Sequence, residues 1–223
     1  MFVVAVVGGT GHLGAAIGRR LALAGYQVIV GSRDADRARE AAARLSDGLS
    51  VPIRGAANPD AAREASIVVV AVPWASQAQI LSDIRSAVAG KIVVDTTVPL
   101  VPPKVMRVQL PPEGSAAQTA QKLLGDGVKV VSAFHNVAAH KLATDQEVDC
   151  DVLVFGDDKD ARAQVIELVK ACRLRGLHAG SLANSAAAEA FTSLLIFINR
   201  QYSVDGAGIR ITGAINCDLG RPA

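Results

Sequence analysis

The feature that most restricts this chain is a glycine-rich turn set between an apolar run and a helix-forming one. Val3-Val4-Ala5-Val6-Val7 is followed by Gly8 and then Gly9-Thr10-Gly11-His12-Leu13-Gly14, after which Leu13–Ala24 carries strong helix formers at helical spacing. A G-x-G-x-x-G segment in a strand–turn–helix context lets backbone approach a pyrophosphate, which then rests at the positive N-terminus of the helix. A turn that merely packs strand on helix would also use glycine. The second strand-like run, Gln27–Val30, arrives where a dinucleotide-binding unit needs it and favours the dinucleotide.

Continuous β-branched runs recur at Ile67–Val72, Ile92–Asp95 and Lys129–Ala133 without polar alternation, as expected of strands buried on both faces of a parallel sheet. Ala35–Leu45 and Ser76–Val88 read as the intervening helices. The alternation predicts an α/β fold, a Rossmann-type doubly wound parallel sheet. After His135 the pattern shifts. Val152–Phe155 reads as one more strand and Ala161–Leu174 as an amphipathic helix, with Val165, Ile166, Leu168 and Val169 facing inward. Ala186–Arg200 is apolar almost all round, which calls for burial, one surface on the sheet and another against a second subunit or a flat ligand. Residues 1–140 are therefore expected to form the dinucleotide-binding domain, and 141–223 a small, mainly helical C-terminal domain.

Composition closes off other classes. Half of the 223 residues are hydrophobic, which excludes disorder, and a net charge of +2 is too small for a nucleic-acid surface. No Lys/Arg cluster suggests an anionic membrane, and no apolar run approaches the ~20 residues that span a bilayer. Cys150, Cys172 and Cys217 are far apart, which argues against a disulfide framework or a zinc cage and for inert thiols in a reducing compartment. A cytoplasmic protein is expected.

The end of the second strand selects the dinucleotide. An NAD site usually places a carboxylate there for the ribose 2′-hydroxyl, whereas this strand ends Val30-Gly31-Ser32-Arg33. Ser32 can donate to a phosphate, the Arg33 fork matches one, and Arg37 supplies a second positive charge, so NADP(H) is expected. Asp34 and Asp36 count against this, but they lie past the strand tip and suit a helix start. Val72-Pro73-Trp74 and Thr96-Thr97-Val98-Pro99 follow later strands and should border the same crevice. Pro73 would turn the chain beneath a ribose or nicotinamide, and Trp74 reads as a packing residue. His135, in Ser132-Ala133-Phe134-His135-Asn136, titrates in the right range for a general acid, but no carboxylate orients it, so hydrogen bonding or structural work is expected. There is no Tyr-x-x-x-Lys, no Lys-x-x-x-Asn pair and no metal-ligand cluster. A dinucleotide site without acid–base machinery suits a partner that is itself a redox cofactor.

These motifs, with Gly156-Asp157-Asp158, Leu182-Ala183-Asn184-Ser185, Glu189 with Thr192, and Gly208-Ile209, occur in this order in a known family. Along essentially its whole length the chain resembles the NADPH-dependent F420 reductases. The resemblance implies hydride transfer between NADP(H) and the deazaflavin coenzyme F420 as co-substrate, in a cleft between a Rossmann domain and a small C-terminal domain. It implies that Gly9, Thr10, Gly11, His12 and Leu13 hold the pyrophosphate, and that Ser32, Arg33 and Arg37 hold the 2′-phosphate. Val72, Pro73, Val98 and Ala139 would meet the nicotinamide half, Val137 would press on the ring with His135 helping to position it, and Thr192, Ala207 and Gly208 would border the deazaflavin. Ala190 stands where the family has serine and Ala207 where it has leucine, while Ala214 to Ala223 has no counterpart. A homodimer through the apolar last helix is expected. Two other readings remain: a flavin reductase like the cytosolic domains of ferric reductases, and an NADP(H) sensor that binds without turnover.

Overall fold

The computed structural model describes residues 2–215. Cys217 and most of the C-terminal extension, residues 216–223, lie outside the described residues. The first half alternates as expected: β1 Val3–Val7, α1 His12–Leu23, β2 Gln27–Ser32, α2 Ala35–Leu45, β3 Arg54–Ala57, α3 Asn58–Glu64, β4 Ile67–Val70, α4 Trp74–Ile84, β5 Ile92–Asp95, α5 Ala116–Leu124 and β6 Lys129–Ser132. The strand order β3-β2-β1-β4-β5-β6, all parallel, reverses between β1 and β4, and ligands of such sheets bind at that switch point. Val4, Val6 and Val30 pack with Ile17 and Leu21 of α1 on one face. Ala5, Val7 and Ile29 pack with Ala61, Ile80 and Leu81 of α3 and α4 on the other. Covered on both faces, these strands have no reason to alternate apolar with polar residues.

The sheet continues after β6. A short α6, Ala139–Leu142, spans position 140, where a boundary is expected from the sequence; then β7, Asp151–Gly156, pairs antiparallel with β6 at Ser132↔Phe155, so one sheet runs through both parts. After α7, Lys159–Ala171, comes β8, Arg175–His178, parallel to β7 and eighth in the sheet, and α8, Ser185–Tyr202, completes the C-terminal part. Arg20 of α1 fastens the two parts together. It is 4% exposed, and its guanidinium donates to the carbonyls of Leu142 (2.9 Å), Cys172 (3.0 Å), Thr144 (2.6 Å) and Gln146 (2.7 Å).

Two strands carry no β signature because each lies close under a helix. A Cβ at Gly55 of β3 would sit 2.4 Å from the Ala38 carbonyl of α2, and one at Gly176 of β8 would sit 3.2 Å from the Val169 side chain of α7. Small residues are required there, and small residues do not announce a strand.

The last helix departs from expectation. Leu182–Tyr202 is long and apolar enough, by length and composition, to cross a membrane. Yet the fold buries one side of α8 only, and apart from Leu195 that side is small or polar: Ser185, Ala188, Glu189 and Ser193. Phe191, Leu194 and Phe197 project outward, 40–51% exposed. Hydrogen bonding by Glu189 and Ser185, rather than apolar burial, docks this helix.

Candidate active site

The glycines of the first turn divide into two kinds. A Cβ on Gly8 (φ +77°) would lie 2.5 Å from the Ala71 carbonyl oxygen, one on Gly9 2.7 Å from that of Val6, and one on Gly14 2.8 Å from that of Gly8. These three let strand, turn and helix close on one another. Gly11 differs: its Cβ would meet only the Gly8 carbonyl, at 3.3 Å. It stands at the N-cap of α1 with no side chain capping the helix, which leaves the first-turn N–H groups to an anion. The turn thus fits a pyrophosphate.

Next to it lies a cleft lined by Thr10, Gly11, Ser32, Arg33, Arg37, Val72, Pro73, Asn58, Ser76 and Ile80, with Gly8, Asp34 and Ala71. Asp34, which weighed against NADP(H), is already engaged: its Oδ1 accepts from the N–H groups of Asp36 (2.9 Å) and Arg37 (3.2 Å) as the N-cap of α2. Asp36 pairs with Arg39. Arg33 and Arg37 are exposed beside the cleft, where two cations fit a phosphate monoester. Gly9 is buried under the turn, while His12 and Leu13 open α1 at its edge.

A second cluster sits at the end of β6. Phe134, 2% exposed, adopts φ +67°, a left-handed conformation costly for a bulky residue, and the chain turns there so that Ser132 Oγ meets His135 Nε2 at 3.1 Å. Burial pushes the His135 imidazole down to about 4, so it is neutral near pH 7. Asn136 Nδ2 donates to the Ala188 carbonyl (2.9 Å) and to Thr192 Oγ1 (3.1 Å), and the Thr192 hydroxyl donates to the His135 carbonyl (3.1 Å). A segment from beyond α8 folds in here: the Ala207 N–H donates to Asn199 Oδ1 (2.8 Å), and a Cβ on Gly208 would lie 2.7 Å from Cys150 Sγ. The fold therefore brings His135, Val137, Ala139, Thr192, Ala207 and Gly208 into one neighbourhood. Val98 follows β5, where Thr96 Oγ1 donates to the Val70 carbonyl (3.1 Å) and holds the two strand ends together.

Beneath this region runs a buried polar network. Gln77 Nε2 donates to Asp95 Oδ2 (2.6 Å) and to the Ala116 carbonyl (3.1 Å). Glu189 of α8 accepts from the Ala116 and Ala117 N–H groups (2.6 and 3.1 Å) at the start of α5. Burial raises the Asp95 carboxyl to about 6 and that of Glu189, helped by the charge of Asp95, to about 8. Because the folded state holds the Glu189 proton more tightly than the unfolded chain does, stability falls as pH rises towards 8. Between pH 7 and 8.5 Asp95 and His135 have finished titrating. The unfolding temperature should therefore decline across that window in the parent protein and decline clearly less in Glu189→Gln, where the buried Cys150 and Cys172 thiols, also held protonated by burial, leave only a small residual slope, as thermal unfolding at stepped pH would measure.

Sequence reasoning did not single out Asn58, Ser76 or Ile80. Asn58 follows β3, the strand with no β signature, and only its neighbour Pro59 hinted at a helix start.

Comparison with known proteins fits this geometry. Residues 3–99 match the family described as NADP oxidoreductase coenzyme F420-dependent. The chain is 40% identical over 218 residues to the F420-dependent NADP reductase of Methanothermobacter thermautotrophicus, covering 94% of each chain. It is 38% identical over 219 residues to that of Methanocaldococcus jannaschii, covering 94% of this chain and 97% of the relative. A crystal structure assigned as an F420-dependent NADP reductase from Arthrobacter sp. FB24 superposes with a TM-score of 0.79 at 27% identity, over 96% of this chain and all of the other. With a dinucleotide turn, a phosphate-matched strand end and full-length identity of this order, the chain belongs to the family of F420-dependent NADP reductases.

Proposed function

We propose that this protein transfers a hydride directly between NADP(H) and coenzyme F420. The observation that carries the reading is the make-up of the cleft edge: glycine cradle, Ser32–Arg33–Arg37 and a cluster around Val137 and Thr192 stand along one sheet edge, and the histidine among them is neutral. The coenzymes supply the chemistry, a hydride passing between nicotinamide C4 and deazaflavin C5. The chain supplies geometry. Gly9 to Leu13 hold the pyrophosphate, and Ser32, Arg33 and Arg37 hold the 2′-phosphate. Val72, Pro73, Val98 and Ala139 bound the nicotinamide half, and Val137, kept in place by the Ser132–His135 pair, sets the depth to which a ring can enter. Thr192, Ala207 and Gly208 border the second ring. Transfer of this kind needs the reacting carbons held about 3–3.5 Å apart in a dry gap, and the accompanying proton exchanges with solvent. Residues 1–140 supply the nucleotide half of the cleft and 141–223 complete it. The exposed Phe191–Leu194–Phe197 stripe of α8 suits a second copy of the chain, which supports a homodimer, and the buried unpaired thiols of Cys150 and Cys172 suit the cytoplasm.

The test is NADPH oxidation with F420, FMN and FAD offered separately to the purified protein. F420 should be bleached with NADPH consumed in equal amount and flavins should turn over far more slowly. Faster turnover with a flavin would overturn the reading, and binding of NADPH without any turnover would leave a sensor.

A further inference from the structure

The cleft beside the arginine pair contains one polar group that nothing in the fold employs. Asn58 is the first residue of α3, directly after β3, whose final residue pairs in register Ser32↔Ala57. That register sets Asn58 beside Arg33 at the carboxyl edge of the sheet. Its side chain is 3% exposed and lines the same cleft as Ser32, Arg33 and Arg37. Among the described residues, its Oδ1 is buried and has no hydrogen-bond partner.

A buried oxygen without a donor is costly, and native folds seldom retain one without compensation. Helix capping is not the compensation, since the N-cap of α3 is Ala57 and no side-chain cap bond is made. The surroundings are shaped around the group instead. A Cβ on Gly31, the next-to-last residue of β2, would lie 2.8 Å from Asn58 Oδ1, so glycine there leaves the carboxamide its space. Rotation about the Cβ–Cγ bond lets the carboxamide turn its oxygen to a donor that enters the cleft it lines.

The chemistry of an arriving donor follows from the neighbours. Two guanidinium groups suit a phosphate, and an adenosine ribose phosphorylated at its 2′-carbon retains a single hydroxyl donor, at the 3′-carbon. A carboxylate would accept from that hydroxyl as well as an amide does, but it would repel the adjoining phosphate. Asp34, which follows Arg33, is occupied in capping α2, and Asp60, two residues past Asn58, pairs with Arg63 at 2.6 Å. We propose that Asn58 is a specificity-determining residue of the nucleotide site: its side-chain oxygen accepts from the ribose 3′-hydroxyl, and its neutrality admits the 2′-phosphate. This rests on the NADP(H) reading of the Arg33 cluster and extends it to a position outside the glycine turn and the β2 tip.

Isothermal titration of the parent, Asn58→Ala and Asn58→Asp proteins with NADPH and with NADH, together with thermal unfolding without nucleotide, tests it. Asn58→Ala removes an unsatisfied oxygen, so the ligand-free unfolding temperature should hold or rise while NADPH affinity falls about 3- to 10-fold. Asn58→Asp should weaken NADPH by at least about 100-fold yet bind NADH, whose 2′-hydroxyl is a further donor, at least as tightly as the parent does. Unchanged NADPH affinity in Asn58→Ala would overturn the proposal. So would failure of that variant to fold, which would make Asn58 a structural residue, and so would equal weakening of both nucleotides in Asn58→Asp. A parent protein that does not prefer NADPH over NADH would instead remove the underlying reading of Arg33 and Arg37, whatever the variants do.

Discussion

Gly11→Val is expected to lower NADP(H) affinity by at least about 100-fold while leaving a folded protein. The loss follows from the place of the residue at the mouth of the first-turn N–H groups, where two branched methyls would occupy the approach of a pyrophosphate. Two charge-assisted hydrogen bonds lost at ~1.5–3 kcal/mol each are enough for the effect. Folding should survive because φ −81° and ψ 163° are extended values that valine favours, and because the new Cβ meets only the Gly8 carbonyl at 3.3 Å. Gly14→Val makes the contrast, since its Cβ would press within 2.9 Å of both Gly8 O and Gly9 Cα. That variant should lose its fold along with its ligand. Calorimetric titration beside far-ultraviolet dichroism separates the two, and near-parental affinity in Gly11→Val would mean that the turn cradles no phosphate.

Arg20→Met should produce a large loss of stability without touching the nucleotide cleft. Among the described residues no carboxylate forms an ion pair with this arginine; its guanidinium donates to four carbonyls. Methionine keeps much of the length and none of the donors. Thr144 and Gln146 are exposed and their carbonyls can turn to water, but those of buried Leu142 and Cys172 remain enclosed, at about 1–3 kcal/mol each. For a domain of this size that corresponds to a fall of roughly 5–20 °C in the unfolding temperature. Scanning calorimetry of the ligand-free protein would measure it, and a shift under about 2 °C would show that water replaces the guanidinium at little cost.

The legible parts of the fold were those where one physical demand dominates. Residues 3–7, 28–30 and 92–94 are covered on both faces and so are almost wholly β-branched, and the turn at 9–14 must close tightly next to them. The β3 and β8 strands were illegible because a helix lies against Gly55 and Gly176, and closeness there matters more than strand propensity. Helix α5 was legible in principle, since Ser115 caps it by accepting from the Gln118 N–H at 3.0 Å ahead of an alanine-rich run, yet its lack of large apolar residues hid it. In the site, Ser32, Arg33 and Arg37 could be read because they follow a recognisable strand. Asn58 could not, because it follows β3. Thr192, Ala207 and Gly208 meet His135 and Asn136 only through folding of distant segments, and here resemblance to a family did what spacing could not.

The direct pairing of β7 with β6 has a mechanical consequence. The strand ends of β1, β2 and β6 belong to one continuous sheet, Arg20 ties α1 to the segments after β6, and Glu189 ties α8 to α5. Many two-substrate enzymes squeeze their reactants together by swinging one lobe over the other. If the two coenzymes bind as proposed, the spacing between their rings would be built in at the time of folding, as in a gauge block. On the proposed function, turnover would then be paced by how quickly each coenzyme slides in and out of a slot of fixed width, and substitutions that widen or narrow the slot should alter the rate more sharply than those that loosen its surroundings.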